Sequence, residues 1–94
     1  MSFISQNKIL PGVYANFTAS GLHAFTPGQR GRVAVLTAAG IQRRRMLDLG
    51  LVEGTQVEAV HKSPAGDPVA YLVRGALIAL RDEDAGRVLL VPEP

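Results

Sequence analysis

The chain has no cysteine. That excludes a disulfide scaffold, thiolate catalysis and cysteine zinc sites, and it fits a reducing compartment. No apolar run approaches the length of a membrane-spanning helix, although 47% of the residues are hydrophobic. No basic segment followed by an apolar block opens the chain, so no signal peptide is expected. An excess of one charge is also missing: Lys and Arg number 10, Asp and Glu 8, and they are interleaved. A dedicated nucleic-acid binder usually shows a strong positive stripe. Aromatics are scarce, with Phe 3, Tyr 2 and Trp 0. Phe3, Tyr14 and Phe17 fall near the start, and of the two that remain, Phe25 and Tyr71, Tyr71 is the possible stacking platform of the main body. At 94 residues the chain makes one small domain, expected to be soluble and cytoplasmic.

Catalytic equipment is also missing. None of Ser2, Ser5, Ser20 and Ser63 stands in a nucleophile elbow, and no glycine-rich loop carries a phosphate-binding lysine. Asp82, Glu83 and Asp84 are adjacent acids with no histidine beside them, so they read as solvated or capping residues. His23 and His61 have no ligand partner at helical spacing. A divalent-metal site built from them with Asp67, Glu58 or Glu83 would lack sulfur and be weak, so surface histidines are the favoured reading. No cofactor and no enzyme are expected.

What is present centres on Ile41 to Thr55, IQRRRMLDLGLVEGT. Good helix formers run to Leu49, and Gly50 follows where a left-handed residue ends a helix. Gly54 permits a second tight turn before a strand begins. On a helical wheel Ile41, Met46 and Leu49 span one arc that includes Arg45. Arg45 is therefore expected to pack its stem on the core and to pair with Asp48, or with Glu83 or Asp84. Arg43 and Arg44 fall outside the arc as a solvent face or a protein contact, with a phosphate contact the weaker reading.

Before this segment, the first 21 residues form an apolar, aromatic extension. It is expected to cover an edge or open end of the fold; the alternative is docking on a neighbour or partner. Strands are expected at Gln29 to Leu36, Gln56 to Ser63, Val69 to Val73, Ala76 to Leu80 and Val88 to Val91. Pro64 to Pro68 must be a loop, Arg74-Gly75 a two-residue turn, and Pro92 the end of the last strand. Arg81 to Ala85 reads as one helical turn with acids at its start. The plan is mainly β: an SH3-like, five-stranded antiparallel barrel with one inserted α-helix and a short helical turn.

Arg44-Arg45-Met46-Leu47-Asp48-Leu49-Gly50-Leu51, followed by Gly54-Thr55, resembles a characteristic segment of the FeoA family. Leu22…Pro27-Gly28-Gln29…Gly31-Arg32-Val33, Gly66-Asp67-Pro68, Ile78-Ala79-Leu80-Arg81 and the final valine strand are similar to FeoA as well. The resemblance runs from Leu22 to Val91 and supports a domain over residues 22–94. It implies the same SH3-like fold, with Arg45, Asp48, Gly50, Gly54, Gly66, Pro68 and Arg81 as structural residues. It also implies a non-enzymatic accessory of ferrous iron uptake that contacts the cytoplasmic G domain of the FeoB transporter, reaching the membrane only through it. Arg43, Arg44, Leu51, Val52 and Glu53 are the expected contact residues. Two alternatives stand beside this: a module related to the C-terminal domain of metal-dependent transcriptional repressors, and a small nucleic-acid-binding barrel. The first needs a helix-turn-helix region for which the chain has no room. The apolar strands and tail also point to self-association.

Overall fold

A computed structural model describes residues 13, 14 and 17–94, with side chains from residue 19 onward. The expectation for the aromatic extension, with Phe3 and the side chains of Tyr14 and Phe17, lies outside the described residues. Strands β1 (Val13–Tyr14) and β2 (Phe17–Thr18) make a small antiparallel pair of their own. The main body is one antiparallel sheet of six strands in the order β3-β8-β4-β5-β6-β7. Its members are β3 (Ser20–Gly21), β4 (Arg30–Leu36), β5 (Gln56–Lys62), β6 (Val69–Val73), β7 (Ala76–Leu80) and β8 (Val88–Glu93). A 3-10 turn at Leu22–Ala24, helix α1 (Gly40–Asp48) and helix α2 (Asp82–Ala85) are inserted between strands.

The five expected strands are present, and the sixth is β3, two residues that pair with Leu89 and Leu90 of β8. A two-residue strand has no alternation to read, which is why periodicity passes over it. Pro92 does not end β8 but sits within it, opposite Gly31. Only β4 pairs with β8 at that level, because β3 has already ended, so the missing proline N–H costs no ladder bond on the open side.

Each main strand turns one face inward, as alternation requires. Val57 and Ala59 of β5, Val69, Tyr71 and Val73 of β6, and Val88 and Leu90 of β8 are buried. Register shifts between Val33 and Val35 and between Ala59 and His61 bend β4 and β5, so that one face can curve around the core. The Phe25 ring packs against Gly31: a Cβ there would stand 2.9 Å from the ring, so only glycine lets the ring seat. The 3-10 turn closes over the sheet at Leu22, whose carbonyl accepts the Tyr71 hydroxyl at 3.5 Å.

Candidate functional site

Helix α1 and the turn that follows it are held from three directions. Met46 is buried, and Leu51 just beyond the helix is fully buried. Gln42, one turn before Met46, donates its amide to Asp84 Oδ1 at 2.6 Å and so ties α1 to α2. Arg43 Nη1 donates to the carbonyl of Leu36 at 3.1 Å, fastening the helix to the end of β4. The turn is stitched to β4 as well: Gly54 N–H donates to the Val33 carbonyl, Val33 N–H to Thr55, and Arg32 Nη1 to the Gly54 carbonyl.

This packing revises the expected helix face. The inward side is Gln42 and Met46, an i,i+4 pair, while Ile41 is 78% exposed and Leu49 42%. Arg45 is exposed and makes no ion pair with Asp48, Glu83 or Asp84. Asp84 is taken instead by Gln42, and Asp48 stands in solvent. The apolar arc misled because α1 carries few apolar residues and one polar residue, Gln42, faces in. Leu51 is also corrected: its side chain is enclosed in the core and cannot meet a partner. Val52 is half-buried, and Glu53, Arg43 and Arg44 are exposed.

Two features result. The outer face of α1 presents Ile41, Arg44, Arg45 and Asp48 side by side, an apolar residue beside two arginines held by no salt bridge among the described residues. Beside it a groove of about 190 Å³ runs between α1 and β4, lined by Val35, Leu36, Arg43, Leu47 and Glu53 over Leu51. Leu47 and Ile41 were not among the expected contacts; their exposure follows once Gln42 and Met46 are placed inward.

The other expected structural residues are distributed as follows. Gly50, Gly54 and Gly66 adopt φ of 99°, 88° and 89°. Gly50 also lies against Arg74, where a Cβ would come within 2.8 Å of Cδ. Pro68 follows a cis peptide bond from Asp67. Asp67 Oδ1 accepts the backbone N–H of Asp82 at 2.9 Å, so the hairpin loop caps α2, a role its sequence separation hid. Arg81 is the residue before α2 and accepts the Ala85 N–H with its carbonyl.

Tyr71 is buried and offers no stacking surface, which removes the one platform the sequence held out to nucleic acid. The His23 ring lies against Gly21 and Gly86, and His61 is exposed on β5. Among the described residues no three His, Asp or Glu side chains converge as metal donors. A larger hollow of about 370 Å³ lies over β5 and β6, with Glu58 and Arg74 as its charged walls. Among the described residues no helix is long and apolar enough to cross a membrane.

The family model for the FeoA domain matches residues 21–92. A curated relative, an Fe(2+) transport protein A/Fe(2+) transporter FeoB fusion protein of Porphyromonas gingivalis, is 31% identical over 61 residues. That match covers 65% of this chain but 7% of the fusion. The structure is similar to FeoA of Stenotrophomonas maltophilia, crystallised with zinc and described as a prokaryotic SH3 domain protein and candidate activating factor for ferrous iron transport. There the TM-score is 0.68 and the identity 28%, over 77% of this chain and 93% of the other. A manganese-dependent transcriptional repressor matches with a TM-score of 0.72 at 18% identity, over 80% of this chain and 41% of the repressor, a likeness of fold alone.

Proposed function

The chain belongs to the FeoA family of ferrous iron transport, and on that premise we propose that it is a non-enzymatic accessory that binds the cytoplasmic G domain of a FeoB-type transporter through the outer face of α1. The observation that carries this reading is the relative in which an FeoA part and a FeoB part share one polypeptide, which holds the two at high effective concentration. The geometry supplies a matching surface. Arg44 and Arg45 project beside Ile41, and Leu47 and Glu53 border the adjoining groove. Arginine is enriched at protein interfaces. Arg43 contributes to this surface while its guanidinium is also spent on the Leu36 carbonyl, so Arg44 and Arg45 are the stronger candidates.

The test is calorimetric titration of the full chain against the cytoplasmic domain of FeoB. Arg44→Glu/Arg45→Glu is expected to weaken binding by about tenfold or more, as reversing interfacial charge does. Lys62→Glu, a charge change of the same sign on β5, is expected to leave it unaltered. Absence of binding by the wild type overturns the proposal. Equal loss in both variants would show a general charge effect and overturn the assignment to α1.

A further inference from the structure

We infer, resting on the function proposed above, that Gln42 and Asp84 are positioning residues for partner binding. Their bond latches the first half of α1 to α2 and so fixes the direction in which Ile41, Arg44 and Arg45 project.

The first half of α1 has little in its own sequence to hold it. Its N-cap, Ala39, has no side-chain oxygen to meet the free N–H groups, and no acid stands in the first turn. Gly40, which opens the helix, is a poor helix former. The first turn closes on a long bond, Arg43 N–H to the Ala39 carbonyl at 3.4 Å. At nine residues the helix is also too short to persist alone in water.

Tertiary contacts must therefore supply what the first turn lacks. Met46 is the buried side chain of α1, and it sits in the second half. The first half is tied by two side chains. Arg43 reaches the Leu36 carbonyl at 3.1 Å in an exposed setting, where water competes for the bond. Gln42 meets Asp84 Oδ1 at 2.6 Å in a part-buried one, where the carboxylate acceptor strengthens the bond and water is partly excluded. Asp84 is a firm anchor because α2 is itself fixed: Asp67 Oδ1 accepts the Asp82 N–H, and Ala85 is fully buried. With the latch closed, the contact face is ordered before a partner arrives, and the cost of ordering it is not charged to binding.

Association and dissociation rates of the full chain on the immobilised cytoplasmic domain of FeoB test this. Gln42→Met removes the donor without changing the charge. A bond of this kind shifts the ratio of docked to released α1 by about tenfold or more, and affinity follows the docked fraction, so a loss of about threefold to tenfold is expected. It should fall on the association rate alone, at low and high salt alike, because a released helix must dock again before it can bind. Gln42→Glu sets two carboxylates face to face and should lose as much or more. Gln42→Glu/Asp84→Asn exchanges donor and acceptor across the same contact and should recover the wild-type rate. Wild-type rates in Gln42→Met overturn the inference. So does a loss confined to dissociation, which would make Gln42 a contact residue, or a double variant no better than Gln42→Glu. Amide hydrogen exchange of the free protein examines the latch without the partner. Gln42→Met is expected to speed exchange at Arg44 and Arg45 by about tenfold or more while β5 and β6 keep their protection, which also establishes that the variant is folded. Unchanged exchange at Arg44 and Arg45 overturns the latch. A wild type that does not bind FeoB overturns the function proposed above instead, and the exchange result tells the two failures apart.

Discussion

Tyr71 heads the largest fully buried side chains of this molecule and is also ionisable. Burial, with Asp82 and Asp67 adding negative potential, pushes its phenol from 10.0 up to about 12. The fold therefore holds the phenolic proton more tightly than the unfolded chain does. The stability contributed by the neutral phenol is complete below pH 10 and is lost as pH rises toward 12. Tyr71→Phe cannot ionise, so its denaturant midpoint should fall less steeply than that of the wild type over that window. At neutral pH the variant should lose only about 0.5 kcal/mol, because the bond to the Leu22 carbonyl is long. Urea titrations of both proteins at neutral and alkaline pH check the two expectations together. The burial of Tyr71 was legible from its place between Val69 and Val73 on one face of β6. The same alternation that placed it inward argues against its use as a base-stacking platform.

Helix α1 shows where sequence pattern runs out. Its extent was readable to within a residue from its helix formers and Gly50, but its orientation was not. Three apolar residues defined an arc, whereas the packing is decided by Met46 together with a polar residue whose partner, Asp84, lies 42 positions away. Nothing local distinguishes an inward glutamine from a solvated one. Arg45 was consequently turned toward the core when it belongs with Arg44 at the surface. The Gln42–Asp84 bond is partly buried and charge-assisted, so Gln42→Ala should cost about 1.5–3 kcal/mol, more than an ordinary exposed substitution. Equilibrium unfolding in urea measures it, and Asp84→Asn tests whether the charge on the acceptor matters. The Asp67 cap on α2 was hidden for the same reason, because its loop and the helix meet only after the hairpin β6–β7 is formed.

Across the molecule, the five principal strands and their inward faces were legible because each alternates cleanly or ends at a Pro or Gly turn. The closing arrangement was not, since it depends on β8 lying between β3 and β4. Glu93 at the end of β8 accepts from Arg32 on β4 at 2.8 Å and from Gln56 on β5 at 2.7 Å, a strap across three strands. The Gln56 bond, with the Arg32 guanidinium beside it, holds the Glu93 carboxyl below its usual range. A depressed carboxyl contributes stability at neutral pH that disappears as pH falls through its folded value. Glu93→Gln should therefore show a shallower loss of melting temperature on acidification than the wild type, measured by scanning calorimetry between neutral pH and the acid limb. The position of β8 has one more consequence, for biosynthesis. The strand that joins the first part of the sheet to the rest is synthesised after all the other strands of that sheet. Until it emerges, β3 has no neighbour in the sheet and β4 only half its ladder, so the nascent sheet must wait, unclosed, for this strand.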